Sequence, residues 1–387
     1  MTVFRFRDAA VGPPMIAVGV SVVSATRSCL IVKFRLVLLA FVLIAMTGGS
    51  LSGATAQDTP VNDAPRPITF PRDDGPHNEP IEWWYYTGHL FTENGDRYGF
   101  EFVVFKAQVG TITGYASHFA ITDTAAGSFH YDQRLGFAPE DASVERETGF
   151  DLLADDWSMT GLGGNDRISA QMERYAIDLQ LKSEKEPALH DGDGYIDYGD
   201  GEGSYYYSRT RMTIEGTLTV DGAALPVTGE SWFDHQWGDF STFSRGGWDW
   251  YSLQFDDQTE LMLYVVRDLD GSDAIVDGSY IAADGSLTVL EPEDFVLTPT
   301  GTWTSEKSGS TYPAGWTVRI PSIDLIIDIT PTIADQELDT TASTGVIYWE
   351  GEVTVEGTKM GALISGLGYV ELTGYSPVTE ISATPTQ

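Results

Sequence analysis

The run Ser231-Trp232-Phe233-Asp234-His235-Gln236-Trp237-Gly238-Asp239 sets two carboxyl groups and an imidazole among two indoles and a phenyl ring. Trp248-Asp249-Trp250-Tyr251 repeats the theme shortly after it. If the run is extended, side chains alternate, so Glu230, Trp232, Asp234 and Gln236 share one face while Ser231, Phe233, His235 and Trp237 share the other. A carboxyl group buried among aromatic rings is disfavoured as an anion and holds its proton toward neutral pH, which suits general-acid chemistry. Ring faces attract a developing cation. The same residues also suit structural work, because Trp and Tyr at sheet ends often pack and hydrogen-bond, and Asp234 or Asp249 could hold Arg245 or a turn. Both readings stand open at this level.

Other chemistries find less support. His77, His89, His118, His130, His190 and His235 are nowhere at the short spacings of zinc sites, so no metal site is expected. The acidic stretch Asp191–Glu202 has Ile196 where a calcium loop requires Gly, and reads as a solvated loop. Gly229-Glu-Ser231-Trp-Phe233 departs from a nucleophile elbow at its last position. No phosphate-cradling loop occurs and no cofactor is expected.

The elements around these residues read as strands. Trp83-Trp84-Tyr85-Tyr86 and Tyr98–Phe105 flank a Glu93-Asn94-Gly95-Asp96 turn, a strong hairpin signal. Turns at Asp221-Gly222, Asp270-Gly271 and Asp284-Gly285 continue the pattern, and no segment carries a sustained helical period with caps. The halves echo each other: Glu215–Gly222 aligns on Glu350–Gly357, and Gly229–Asp234 on Gly366–Glu371. A tandem duplication explains this, with chance likeness among Gly-rich strands as the alternative. A sheet with one apolar face must bury it, and closing the sheet also removes its edges. The expected fold is therefore all-β, with two tandem lipocalin-like barrels or half-barrels.

The expected organisation is an N-terminal extension and signal peptide over 1–56, a linker over 57–67, a first domain over 68–240 and a second over 241–387. Lys33 and Arg35 precede the apolar run Leu36–Met46, and Ala54-Thr55-Ala56 closes it, as in a secretory signal too short for a comfortable span. Val32 is the expected true start. Export to the periplasm or the extracellular space follows, with no stable membrane span after cleavage. Removing 56 residues with five basic groups and one acid takes the formal charge from −35 to −39, which repels nucleic acid and anionic membranes. The one cysteine, Cys29, leaves with that segment.

Several segments together resemble the carotenoid 1,2-hydratase (hydroxyneurosporene synthase) superfamily, in its lipocalin-like exported bacterial branch. They are Pro80-Ile-Glu-Trp-Trp-Tyr-Tyr-Thr-Gly88, Ser204-Tyr-Tyr-Tyr-Ser-Arg-Thr-Arg211, Gly229-Glu-Ser-Trp-Phe-Asp-His-Gln-Trp-Gly238, Gly247-Trp-Asp-Trp250 and Gly368-Tyr-Val-Glu-Leu-Thr-Gly374. The likeness runs from Ile68 to Tyr375. It implies cofactor-free addition of water to a terminal alkene: an acid protonates the alkene, and water captures the tertiary cation. On that reading Asp234 is the proton donor, and His235 positions water or takes its proton. Trp237, Trp250 and Tyr264 line the cation site, Trp84 contacts ligand, and Glu82 and Asp249 are reserve acids. The implied partner is an apolar small molecule: a carotenoid, another isoprenoid or a lipid. A non-catalytic carrier of such a ligand, and a carbohydrate-binding or hydrolase protein suggested by the aromatics and paired acids, are the alternatives.

Overall fold

The computed structural model describes residues 65–109, 112–137, 149–199, 201–240 and 245–376. The expected signal segment, Val32 and Cys29 lie outside them. The first sheet contains β1 (Ile81–Thr92), β2 (Arg97–Val109), β3 (Ile112–Asp123), β4 (Ser128–Phe137), β5 (Phe150–Ala154), β6 (Trp157–Leu162), β7 (Asn165–Gln171), β8 (Tyr175–Ser183), β9 (Ala188–Leu189), β10 (Tyr195–Gly199), β11 (Glu202–Val220) and β12 (Ala223–Asp239). Its strand order is 4-3-2-1-12-11-8-7-6-5, with β9 and β10 also paired to β11. The expected hairpin between β1 and β2 forms, with Gly95 at φ 87° supplying the left-handed turn residue. The end strands curl toward each other: a Cβ on Gly136 of β4 would sit 3.2 Å from Ala154 Cα in β5. The sheet is thus nearly closed into a barrel.

The second sheet contains β13 (Gly247–Phe255), β14 (Glu260–Arg267), β15 (Asp273–Ile281), β16 (Leu287–Leu290), β17 (Val296–Pro299), β20 (Trp316–Ile320), β21 (Leu325–Pro331), β22 (Glu337–Asp339), β23 (Ile347–Lys359) and β24 (Ala362–Leu372). The small hairpin of β18 (Thr302–Thr304) and β19 (Thr311–Pro313) stands apart from it. Its order, 16-15-14-13-24-23-21-20-17, follows the same plan as the first sheet: the opening strand lies between the following meander and the closing hairpin. The protein is all-β, with two lipocalin-like sheets in tandem. Of the two residue matches between the halves, Gly229–Asp234 on Gly366–Glu371 keeps register against the opening strands, and Glu215–Gly222 on Glu350–Gly357 does not. Asp221-Gly222 is the tight turn of the β11–β12 hairpin, whereas Glu356-Gly357 lies inside β23, paired to Ser365 and Ile364.

Three large apolar clusters follow from the period-2 alternation. Trp84, Tyr86, Phe100, Phe102, Phe233 and Trp237 fill the first barrel with further strands' side chains. Tyr251, Leu253, Leu263, Trp316 and Trp349 belong to the filling of the second. The opposite faces of the same strands meet between the lobes, where Tyr85, Val103, Tyr206, Trp232, Trp250, Met262, Tyr264 and Tyr369 are buried together. The barrels are packed, and the aromatic-walled cavity lies between the two sheets. Polar ties cross the same seam: Tyr85 Oη donates to Glu350 at 2.7 Å, and Lys185 and Arg211 both reach Glu260 at 2.7 Å. The segment before the first barrel is pinned too, since Arg66 N donates to Tyr205 Oη and its guanidinium pairs with Asp73.

Candidate active site between the lobes

Strand pairing decides which carboxyl groups meet. In β12, Asp234 pairs with Tyr85 of β1 on one side and Ser208 of β11 on the other. A bulge in β11 between Arg209 and Met212 shifts register by one residue and brings Tyr206 and Ser208 onto the Asp234 face. Trp250 and Glu371 are partners across β13 and β24, and Glu371 lies opposite Glu350 of β23. Where these faces oppose, they enclose a cavity of about 80 Å³. Its wall carries Glu101, Asp234 and Glu371 among Trp83, Tyr85, Tyr206, Trp248, Trp250 and Tyr264.

Asp234 is nearly fully buried. It accepts hydrogen bonds from Tyr206 Oη (2.6 Å), Trp232 Nε1 (2.6 Å) and Ser208 Oγ. Burial pushes its carboxyl up to about 7 against the pull of those donors. Burial likewise pushes Glu371 up to about 7, opposed by a bond from Trp248, with Asp234 adding repulsion. Glu101 and Glu350 are fully buried and held well above the carboxylate range, by burial first and by the neighbouring acids second. Among the described residues no ion pair reaches any of the four. Tyr85 and Tyr206 are pushed up as well, so both phenols stay protonated and act as donors. Behind Ser208 stands His190, with Nε2 at 2.6 Å from Ser208 Oγ and Nδ1 at 2.9 Å from Ser279 Oγ. Burial lowers this imidazole to about 3, so it is neutral.

The site residues named from sequence separate into three places. Asp234, Trp250 and Tyr264 line the cavity. Glu82, Trp84, His235 and Trp237 point into the first barrel, where His235 Nε2 meets Glu82 Oε1 at 2.9 Å and the His235 ring stacks on Trp84. The expected cooperation of His235 with Asp234 fails because adjacent strand residues face opposite ways. Glu82 also fails as a reserve acid. Burial would raise it, but bonds from His235 and His77 and the Lys106 ammonium at 2.9 Å prevail and hold it ionised far below the usual range. Asp249 faces away from the cavity and is bound by Arg267 and by Tyr375 Oη at 3.0 Å. Trp84 and Trp237 are fully buried core rings with no share in the cavity wall.

The Glu82 cluster holds one feature that sequence spacing concealed. His77 Nδ1, Glu82 and His235 Nε2 offer ligand atoms within 4.8 Å of one another, a set able to hold a metal ion. They come from a loop and two paired strands, so no short motif announces them. Lys106 already neutralises Glu82, and both imidazoles hydrogen-bond the same carboxylate oxygen. The arrangement is a closed ionic network as it stands. Glu101, Glu350 and Glu371 escaped the sequence reading as site residues; the available signal was a lone acid inside the apolar strand Tyr98–Phe105.

The fold and cavity define a two-lobed lipocalin-type β protein with an acid-lined seam. The chain belongs to the AttH-like family, which it matches over residues 61–375. It is 32% identical to the AttH protein NE1406 of Nitrosomonas europaea, whose crystal structure superposes with a TM-score of 0.72 over 80% of this chain and 98% of that one. Kievitone hydratase from Nectria haematococca shares the fold, with TM-score 0.66 at 18% identity over 79% of this chain and 93% of that one. The dehydratase asqC of Emericella nidulans is 25% identical over 239 residues, 60% of this chain. That match covers 66% of the dehydratase, just under two thirds of its length. Among the described residues no helix is long and apolar enough to cross a membrane.

Proposed function

We propose that this protein binds an apolar small molecule of isoprenoid or lipid type between its lobes and adds water to, or removes water from, its reacting end by acid chemistry. The observation that carries this reading is the meeting of Glu101, Asp234 and Glu371 in one aromatic-walled cavity, with no cation among the described residues paired to them. Carboxyl groups so placed are raised toward or above neutral pH and can exchange protons there, and the rings of Trp250, Tyr264 and Trp248 suit an apolar carbon skeleton and a passing cation. A hydratase sharing the fold and a dehydratase related in sequence agree with the reaction class, since the two directions share one transition state. The cavity is smaller than the ~300–1,000 Å³ of whole-ligand sites, so it takes the reacting end while the rest extends outward.

Two experiments test this. Mass spectrometry of whatever co-purifies from the native host should return an apolar molecule bearing a trisubstituted alkene or the corresponding tertiary alcohol. Incubation with prenylated phenols and acyclic polyenes should then give a product heavier or lighter by one water. Asp234→Asn should abolish that turnover while ligand still binds. A bound ligand that no incubation converts would leave a carrier and end the catalytic reading. Export forms part of the same proposal, and N-terminal sequencing of mature protein should begin at Gln57.

A further inference from the structure

The carboxyl groups at the seam differ in how many donors serve them. Asp234 takes three: Tyr206, Trp232 and Ser208. Glu350 takes one on a single oxygen, from Tyr85, and Glu371 is met by Trp248. Glu101 is fully buried, and among the described residues neither of its oxygens has a hydrogen-bond partner. It nevertheless forms part of the cavity wall. A buried, unserved carboxylate next to another acid is costly, and protonation removes that cost. A group with three converging donors is instead suited to carry the negative charge. The two environments are unequal in the sense that separates acids from bases in paired carboxyl sites.

Their placement matches the difference. Asp234 is on β12 and Glu101 on β2, with β1 and its Tyr85 between them. Glu101 stands opposite Thr87 and Asp234 opposite Tyr85, so two strand spacings and a two-residue offset, about 12 Å of backbone separation, lie between two acids that line the same cavity.

We propose that Glu101 is the catalytic proton donor and Asp234 the acceptor of the water proton, a division of labour that rests on the hydration reading. In the hydration direction the Glu101 O–H bond breaks as the alkene π pair takes the proton, forming a C–H bond, a tertiary cation and the Glu101 carboxylate. A water lone pair forms the C–O bond, and the proton that this oxygen sheds goes to the Asp234 carboxylate. The proton returns to Glu101 through water between turnovers. Dehydration runs the same steps backward, with Asp234 protonating the hydroxyl and the Glu101 carboxylate taking the C–H proton. The donor role that the family resemblance assigned to Asp234 thereby passes to Glu101.

Glu101→Gln and Asp234→Asn separate the roles. Infrared difference spectra of ligand-free protein at pH 8 should show Glu101→Gln losing one protonated-carboxyl C=O component relative to wild type, beside the Glu350 component that remains, while Asp234→Asn loses none. Prenylated phenols and acyclic polyenes with a terminal trisubstituted alkene serve as probes in D2O. Both variants should lose hydration about 100-fold or more. Alkene recovered from Asp234→Asn should still carry deuterium at the carbon that is protonated, whereas alkene from Glu101→Gln should carry none. Unfolding midpoints and retained probe binding check that each variant is folded. If Glu101→Gln loses no protonated-carboxyl component, or keeps exchange while Asp234→Asn loses it, the assignment is overturned and Asp234 is the donor. A wild type inert toward the whole panel overturns the hydration reading together with this one; an active wild type with an active Glu101→Gln overturns this one alone.

Discussion

Ser208 lies directly across the β11–β12 pair from Asp234 and gives its hydroxyl proton to that carboxyl group. A serine hydroxyl has one proton, so the 2.6 Å contact with His190 Nε2 must be one that Ser208 accepts. His190 is therefore the Nε2–H tautomer, and its Nδ1 accepts from Ser279. The chain Ser279, His190, Ser208, Asp234 runs from the second lobe into the first and orients the carboxyl group that faces the cavity. Replacing His190 by Ala removes two buried bonds and leaves both serine partners short. The expected cost is about 2–4 kcal/mol, read as a lower urea midpoint with an unchanged m-value. His190→Gln should recover part of it, because an amide can both donate and accept.

Asp234 also predicts how stability responds to pH. Its folded-state carboxyl stands near 7, above its unfolded value of 3.8. A group raised in this way binds its proton more tightly when folded, so its contribution is complete below about pH 4 and is lost as pH rises toward 7. Glu371 adds a parallel loss over pH 4.5 to 7. The buried neutral imidazoles His118 and His190, lowered to about 3, act in the opposite sense and lose stability as pH falls below 6.5. Asp234→Asn deletes one member of the first group. Measured from pH 4 to pH 8, wild type should lose ground to the variant by up to about 1.4 kcal/mol per pH unit. A difference that stays flat across that range would remove the raised carboxyl from the account.

What sequence could reveal here was local. The Asn94-Gly95 hairpin and the alternation along Trp232–Trp237 are short-range patterns, and both hold in the structure. The same alternation already separated Asp234 from His235; only the resemblance joined them again. Glu101 was hidden because one acid in an apolar strand reads as a residue turned to water, and only the packing of the second sheet reveals that this face is covered. The cavity itself depends on how two sheets oppose each other, a relation that no local period encodes. His77, Glu82 and His235 were missed as a cluster for a similar reason: the β1–β12 register unites residues 153 positions apart.

Glu260 ties the lobes through charge. It is fully buried and receives Lys185 and Arg211 from the first lobe, each at 2.7 Å. Burial raises its carboxyl in spite of both cations, so part of the pairing energy is spent on desolvation. Removing one partner still strands the other charges. Glu260→Ala should therefore lower unfolding stability by about 3–5 kcal/mol, whereas Arg167→Ala, which removes an exposed pair with Asp178, should change it by less than about 1 kcal/mol. Guanidinium melts of the two variants side by side give the comparison.

The Glu82 network yields the last expectation, because its geometry permits two states. With Lys106 on one carboxylate oxygen and His77 and His235 on the other, the charge is balanced by protein groups alone. A zinc ion would have to displace Lys106 and break two hydrogen bonds in a site with no exposed side chain. Added zinc should thus leave the melting temperature of wild type unchanged. In Lys106→Met the carboxylate loses its cation, and the three ligand atoms within 4.8 Å become a better host for a metal than for one another. That variant should be destabilised by about 3–5 kcal/mol and should regain part of the loss when zinc is supplied, by mass action on the folded state. Calorimetric melts with and without zinc and chelator decide it. Zinc stabilisation of wild type would show that the ammonium yields its place and that the cluster is a metal centre.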